Sequence, residues 1–516
     1  MVDESNPRHG RRHVLRLISG MAGLTIAGIG NVTGQRTSGT KIGPNELSSK
    51  LVGMEESVRL GDWSQQMELV ADDRDENDYF GSSVAVSGDG TTAVIGALGD
   101  DDPNGEDAGS TYVFENADGE WTQQSKLAPD DGDDGDKFGG SAAVSRDGTT
   151  ALIGSYLDND SNGEATGSVY VYEESGDGWT QQSKLIPDDG DENDAFGGTV
   201  AVSENASVAV IGAFSDADPN GEYGGSAYVF EHSDGEWTQQ SKLAPDDGDD
   251  GDYFGGSVAV SGDGTTAILG ASGDENPNGE AAGSAYVFES AGGDWTQQTK
   301  LTPDDGDDED SFGSVTISGD GTTAIIGASG DDDPNGEKAG SAYVFGSAGG
   351  EWTQQSKLAP DDGDAEDFFG RALAVSRDGM TAIFGAFTDV NPNGEDAGSA
   401  YVFERSDGDW DQQKRLVAED GNNADSFGIS VAISGDGSTA IIGANGDGFP
   451  SKFQAGSAYV FGTGEQPPET GTPTEDEAST DSESDEDGGQ SIPGFGLGSA
   501  LAGLTGAGYL RWRNSQ

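Results

Sequence analysis

Short alternating runs of apolar and polar residues, each bounded by Gly, Asp or Asn, follow one another along the middle of the chain. In the second copy of the pattern the runs are Trp121–Leu127, Phe138–Ser145, Thr149–Ser155 and Gly167–Glu173. Period-two alternation over such short runs predicts half-buried β-strands, so Tyr170 and Tyr172 should face one side and Val171 the other. The second and third runs are joined by Ser145-Arg-Asp-Gly148, and Asp-Gly between apolar runs is the strongest short hairpin signal. The dipeptide returns at 89–90, 263–264, 320–321, 378–379 and 436–437, with Glu204-Asn205 as the exception. The first run opens on a tryptophan at 63, 121, 179, 237, 295, 352 and 410, a step of 58 residues with a single 57. A repeat held to within one residue means seven structural units of one design.

Four strands in each of seven units predict an all-β fold, a seven-bladed β-propeller over 63–461, with an open solenoid as the alternative. The phase favours closure. Trp63–Val70 precedes the first Phe80-Gly81, while the last copy stops at Phe461 with no tryptophan strand after it. The spare first strand should complete the last blade and remove a pairing edge. The Phe-Gly strand, crowded with Gly, Ala and Ser, belongs next to the axis. With neighbouring strands antiparallel, the two acidic loops of each unit then share one face, and the Asp-Gly turns share the other.

Charge changes the picture of the surface. The 516 residues carry 25 Lys+Arg against 96 Asp+Glu, a formal net charge of -71, with 85 Gly, no Cys and 32% apolar residues. Low apolar content with such a charge ordinarily signals disorder. Here the apolar residues hold fixed alternating positions, which means a folded body with an acidic skin. Nucleic acid and anionic membrane surfaces would be repelled and are excluded as partners. At about 1 M salt the screening length drops to roughly 3 Å and the self-repulsion fades. The composition resembles that of proteins from halophilic archaea. Disulfides and thiolate chemistry are ruled out by the missing cysteines.

The ends read as addresses. Residues 1–30 hold Arg11-Arg12-His13-Val14-Leu15-Arg16 ahead of an apolar run from Leu17 to Ile29, an export pattern too short for a comfortable membrane span. The arginine pair resembles a twin-arginine signal, which implies export of an already folded protein. Residues 31–62 form a polar lead-in with an Asn31-Val-Thr33 glycosylation acceptor sequence. Residues 462–492, rich in Pro, Ser, Thr, Asp and Glu, read as a disordered, self-repelling stalk. From Pro493-Gly-Phe-Gly496 an apolar run continues to Leu510 and ends on Arg511-Trp512-Arg513, a short C-terminal apolar helix. Residues 493–516 resemble the sorting signal that archaeosortases process, which implies transfer to a membrane lipid. An uncleaved helix with a basic inner end gives the same address. Both place the protein on the outer face of the cell membrane, touching it through the C-terminus alone.

Phe-Gly at 80, 138, 196, 254, 312, 369 and 427 is matched by a downstream Ile/Leu/Phe-Gly-Ala/Ser at 95, 153, 211, 269, 326, 384 and 442. This pairing resembles the FG-GAP repeat of integrin α-chain propellers and their prokaryotic relatives. No proline follows the Gly-Ala, as in the prokaryotic branch. The resemblance implies a seven-bladed propeller used for adhesion or ligand binding, often with bound calcium.

Candidate calcium donors stand in the second acidic loop at alternate positions, closed by Gly for a sharp turn. They are Asp100, Asp102, Asn104 and Glu106; Asp158, Asp160, Asn162 and Glu164; and Asp216, Asp218, Asn220 and Glu222. The next three loops supply Asp274, Asn276, Asn278 and Glu280; Asp331, Asp333, Asn335 and Glu337; and Asp389, Asn391, Asn393 and Glu395. Up to six Ca²⁺ sites follow, the seventh copy, Asn445-Gly-Asp-Gly-Phe-Pro450, having lost the pattern. A solvated Asp-Pro-Asn-Gly turn on a salt-adapted surface reads equally well. No Glu stands at loop position twelve to close the shell, and integrin cation loops lie on a different connection.

Catalysis has little to work with. The histidines are His9, His13 and His232, the last expected in a solvent-facing turn, so Ser-His and Cys-His pairs are excluded. The repeated tryptophan suits blade packing better than sugar stacking. The expected role is non-catalytic binding or adhesion to cell-surface proteins or glycans by a monomer without organic cofactor. A structural envelope spacer is the alternative, and a carbohydrate hydrolase working through paired carboxylates is the third reading.

Overall fold

The computed structural model of the protein describes residues 62–464, apart from 102, 160–162, 177, 218, 333 and 449–452. The export signal, the stalk and the C-terminal helix expected from the sequence therefore lie outside the described residues. Within them are twenty-eight strands in seven four-stranded antiparallel sheets, and no helix. Blade one is β2 (Phe80–Val86), β3 (Thr92–Ala97), β4 (Ser110–Ala117) and β5 (Glu120–Leu127), in that order from the axis outward. Blades two to six repeat it. The strands expected at 121–127, 138–145, 149–155 and 167–173 run Glu120–Leu127, Phe138–Val144, Thr150–Ser155 and Ser168–Ser175.

Blade seven is built from both ends of the repeat region. β26 (Ser430–Ile433), β27 (Thr439–Ala444) and β28 (Ser457–Gly462) receive β1 (Ser64–Leu69) as their outermost strand. β1 runs antiparallel to β28, pairing Gln65 with Phe461, Glu68 with Tyr459 and Leu69 with Ala458. The ring is closed as the phase of the repeat required, and the solenoid alternative falls.

The core lies between blades. Val210 and Val229 of blade three pack against Leu269, Tyr286 and Phe288 of blade four, and six further clusters fill the other junctions. Tyr170 and Tyr172 enter one junction and Val171 the next, as the alternation predicts. Each Phe of Phe-Gly is fully buried at the foot of its blade. Its glycine is required by close approach. Gly81 has φ +88, and a Cβ there would lie 2.4 Å from Ser457 O of the neighbouring blade. Small hydroxyls bridge the same gap, as where Ser83 Oγ donates to Gly139 O at 2.8 Å. The outer tryptophans pack on these clusters, which settles them as blade-packing residues. His232 corrects one expectation. It sits within strand Ser226–Ser233, half-buried and stacked on Trp237 at 5.0 Å, because cross-strand pairing sets the two rings opposite each other.

At the hairpin-turn face the seven turns meet around the axis. The N–H of Gly88 donates to Arg146 O, Arg146 to Glu204, Glu204 to Gly262, Gly262 to Gly319, Gly319 to Arg377, Arg377 to Gly435, and Gly435 back to Gly88, at 2.9–3.1 Å. Glycine at four of these positions leaves room for the three long side chains. A Cβ on Gly88 would meet Arg146 Cγ at 2.4 Å, and one on Gly262 would meet Glu204 Cδ at 2.7 Å. Arg377 donates to Glu204 across the axis, while Arg146 Nη1 lies 3.7 Å from its other oxygen. The one copy that lacks Asp-Gly supplies the acid of this cap.

Candidate functional site

The opposite face carries the two acidic loops of each blade, and they interlock. Gly135 N–H donates to Glu106 O, Phe138 N–H to Ala108 O, and Asn104 Nδ2 to Pro129 O at 2.9 Å. Co-location of the acidic loops on one face is as expected. Their carboxylates, however, divide into three populations with different chemistry.

The first aspartate of each candidate calcium loop points inward. Asp100 Oδ2 accepts from Tyr112 Oη at 2.6 Å and from Lys126 Nζ at 2.7 Å, and the same ammonium reaches Asp73 of the preceding loop at 2.7 Å. Asp158 is held by Tyr170 and Lys184, Asp216 by Tyr228 and Lys242, Asp274 by Tyr286 and Lys300, and Asp331 by Tyr343 and Lys357. In blade six Arg415 takes the lysine's place on Asp389 at 2.6 Å and on Asp362 at 2.8 Å. The lysine stands directly across from the tyrosine on the outer strand and lies over its ring at 5.1–5.4 Å. Burial pulls the ammonium of Lys184 down, but bonds to Asp131 and Asp158 outweigh it and hold it above the usual lysine value.

The remaining donors diverge. Asp102, Asp160, Asn162, Asp218 and Asp333 lie outside the described residues. Asn276 and Asn391 close their own loops, donating to Gly283 O at 2.6 Å and Gly398 O at 2.5 Å. Asn104, Asn278, Asn335 and Asn393 spend their amides on carbonyls of the adjacent loop, at 2.7–2.9 Å. Asn220 is partly buried, with an amide nitrogen that finds no hydrogen-bond partner. Glu106, Glu164, Glu222, Glu280, Glu337 and Glu395 are exposed. Among the described residues no three carboxylates or imidazoles converge as a cation shell would need. These described donors do not fit a resident Ca²⁺: the alternation that suggests one in sequence sends successive side chains to different neighbours.

The second population ends the other acidic loop. Asp78, Asp136, Asp194, Asp252, Asp310, Asp367 and Asp425 are buried. Each turns its carboxylate back on its own loop, as where Asp133 N–H donates to Asp136 Oδ2 at 2.7 Å. Burial pushes Asp136 up to about 6, with Asp158 and Asp133 adding to the rise and the Asp133 amide opposing it. The others in blades one to six reach about 6 in the same way. The third population is solvent-facing.

The lysine seat escaped sequence reasoning because its members are 12, 26 and 53 residues apart. One signal was available: a lysine at the same place in five cassettes of a chain otherwise poor in base. It yields a sharp expectation. Lys242→Met should lower unfolding free energy by about 3 kcal/mol, since Asp216 stays buried without its ammonium. Lys242→Arg should lose less than about 1 kcal/mol, because Arg415 fills the same seat in blade six. Denaturant titration in molar NaCl measures both.

The fold and its sorting signal define a propeller of the exported cell-surface class. The FG-GAP repeat matches residues 63–114, 121–172, 179–230, 237–288, 295–345, 352–403 and 410–461, and the chain belongs to that family. A PGF-CTERM motif matches 492–514, the C-terminal archaeosortase signal of surface-anchored exported proteins. No curated protein matches the chain.

Proposed function

We propose that this surface-anchored propeller is a non-catalytic binding or adhesion protein that engages envelope proteins or glycans through its acidic-loop face. The observation that carries the reading is where blades six and seven break the repeat. Val390 and Phe453, 58% and 68% exposed, stand on that face in adjacent blades, amid carboxylates that otherwise repel apolar contact. The backbone of Phe453 is fixed where its carbonyl accepts from Asn77 N–H at 3.0 Å. An apolar anchor within a polar rim is what a recognition surface needs.

The experiment is binding of the full chain to isolated cell envelope in molar NaCl, with and without a calcium chelator. The double substitution Val390→Asp, Phe453→Asp should weaken saturable binding by roughly tenfold or more, the loss of two apolar contacts. Equal binding by the double variant overturns this surface, and no saturable binding by the native chain favours the spacer alternative. A chelator effect would bring calcium back through the outward carboxylates, since the inward ones already hold ammonium.

A further inference from the structure

The seat that six blades give to a cation is given to an acid in the seventh. Lys126, Lys184, Lys242, Lys300, Lys357 and Arg415 each pair in register with the tyrosine of the neighbouring strand. The corresponding pair in blade seven is Glu68 with Tyr459. The rest of the seat is intact, for Tyr459 Oη still donates to Asp420 and to Asp447, both at 3.2 Å. Glu68 is fastened among them by Ser457 Oγ, which donates to its Oε1 at 3.0 Å. Asp425 completes the group as the counterpart of Asp194. A sister blade has three carboxylates and one ammonium here, a formal charge of -2. Blade seven has four carboxylates, formal charge -4. Arg74 brings a positive charge from the loop after β1, with Nη1 3.5 Å from Gly456 O and 3.4 Å from Ser457 Oγ.

This substitution falls on the one strand that joins its blade without a hairpin. β1 is held to blade seven by its ladder with β28 and by side-chain packing, whereas every other outer strand is tied to its neighbour by a turn. We propose that β1 is a latch on the ring, closed when the Glu68 cluster takes up a proton or is screened by salt, and loosened when all four acids are ionised in dilute buffer.

The acid–base behaviour of the cluster agrees. Burial raises Glu68, Asp420 and Asp447 raise it further, and Ser457 and Arg74 pull the other way. Asp425 is pushed up to about 7 by burial, with Asp447 and Asp420 adding to it against the Asn422 amide. Its counterparts stop at about 6, each with a Lys or Arg nearby that lowers it. A carboxyl raised in the folded state holds its proton more tightly there than in the unfolded chain. The seam therefore gains stability as pH falls through the folded value and loses it as pH rises.

The test is hydrogen exchange of the Tyr459–Phe461 amides in the full chain. The Tyr286–Phe288 amides of blade four serve as the control within the same molecule. At about pH 8 and about 0.2 M NaCl, the corrected rate ratio of seam to control should be roughly tenfold. It should approach one at about pH 5.5, or at about 3 M NaCl, where screening is nearly complete. Glu68→Lys, which rebuilds the sister seat, should bring the ratio to one at both pH values, and Glu68→Gln should reduce its pH dependence. A native ratio that ignores pH and salt overturns the latch, as does a Glu68→Gln chain that keeps the full native pH response.

Discussion

A chain beginning at Ala71 should lose the order of its seventh blade and self-associate. The missing segment contributes the buried Trp63, just ahead of β1, and Leu69, 4% and 2% exposed, and each such side chain is worth about 2–3 kcal/mol of burial. Without Trp63 the cluster of Tyr459 and Phe461 loses its cover, and without Leu69 that of Ala458 and Val460 does. The backbone groups of Ser457–Gly462 that pair with β1 would also stand open, and an unpaired edge is a template for another chain. Exchange should quicken throughout residues 427–461 while blades two to four keep their protection. Gel filtration in molar NaCl should show a concentration-dependent dimer. A monomer with native protection in blade seven would mean that closure does not need β1.

The propeller should also be more stable at pH 5 than at pH 8. Seven buried aspartates, one per blade, sit near 6 or 7 in place of 3.8, chiefly because burial disfavours their charged form. With the folded value raised, the folded chain binds more protons than the unfolded one between 3.8 and 6. Stability then falls as pH rises through that window and stays low above it. A shift of about two units corresponds to about 3 kcal/mol per group before local relaxation is counted. The opposing groups act elsewhere on the scale. Asp131 is raised by burial but pulled below its ordinary value by Lys184 and Tyr170, so its contribution is lost only at lower pH. Thermal scans at constant molar NaCl should therefore show a higher midpoint at pH 5 than at pH 8. A midpoint that is flat or rises with pH would sink the argument.

Most of the architecture could be read because each decisive signal was local. Asp-Gly at 147–148 marks a hairpin by its own conformational preference, and the tryptophan spacing counts the blades. The missing tryptophan strand after Phe461 and the spare one at Trp63 announced the closure. What stayed hidden depends on residues brought together by register. The Asp216–Lys242–Tyr228 seat joins one loop and two strands, and nothing in the loop sequence shows that Asp216 faces inward. The calcium pattern is incomplete for the same reason: alternation specifies spacing, while direction is decided by neighbours such as Pro129 O and Gly283 O. Glu68 was visible as Met-Glu-Leu against Ser-Lys-Leu, but its meaning required knowing what the lysine does.

The circle of hydrogen bonds from Gly88 round to Gly435 has a consequence for how that end of the molecule meets its surroundings. Seven N–H···O=C links run the same way round the axis, each residue of the circle donating to one neighbour and accepting from the other. No amide of the circle is left over to greet an anion, in contrast to the open N–H groups of a helix start. The two guanidiniums at that end already share one carboxylate. That end therefore meets its surroundings with the N–H donors of the circle already spent.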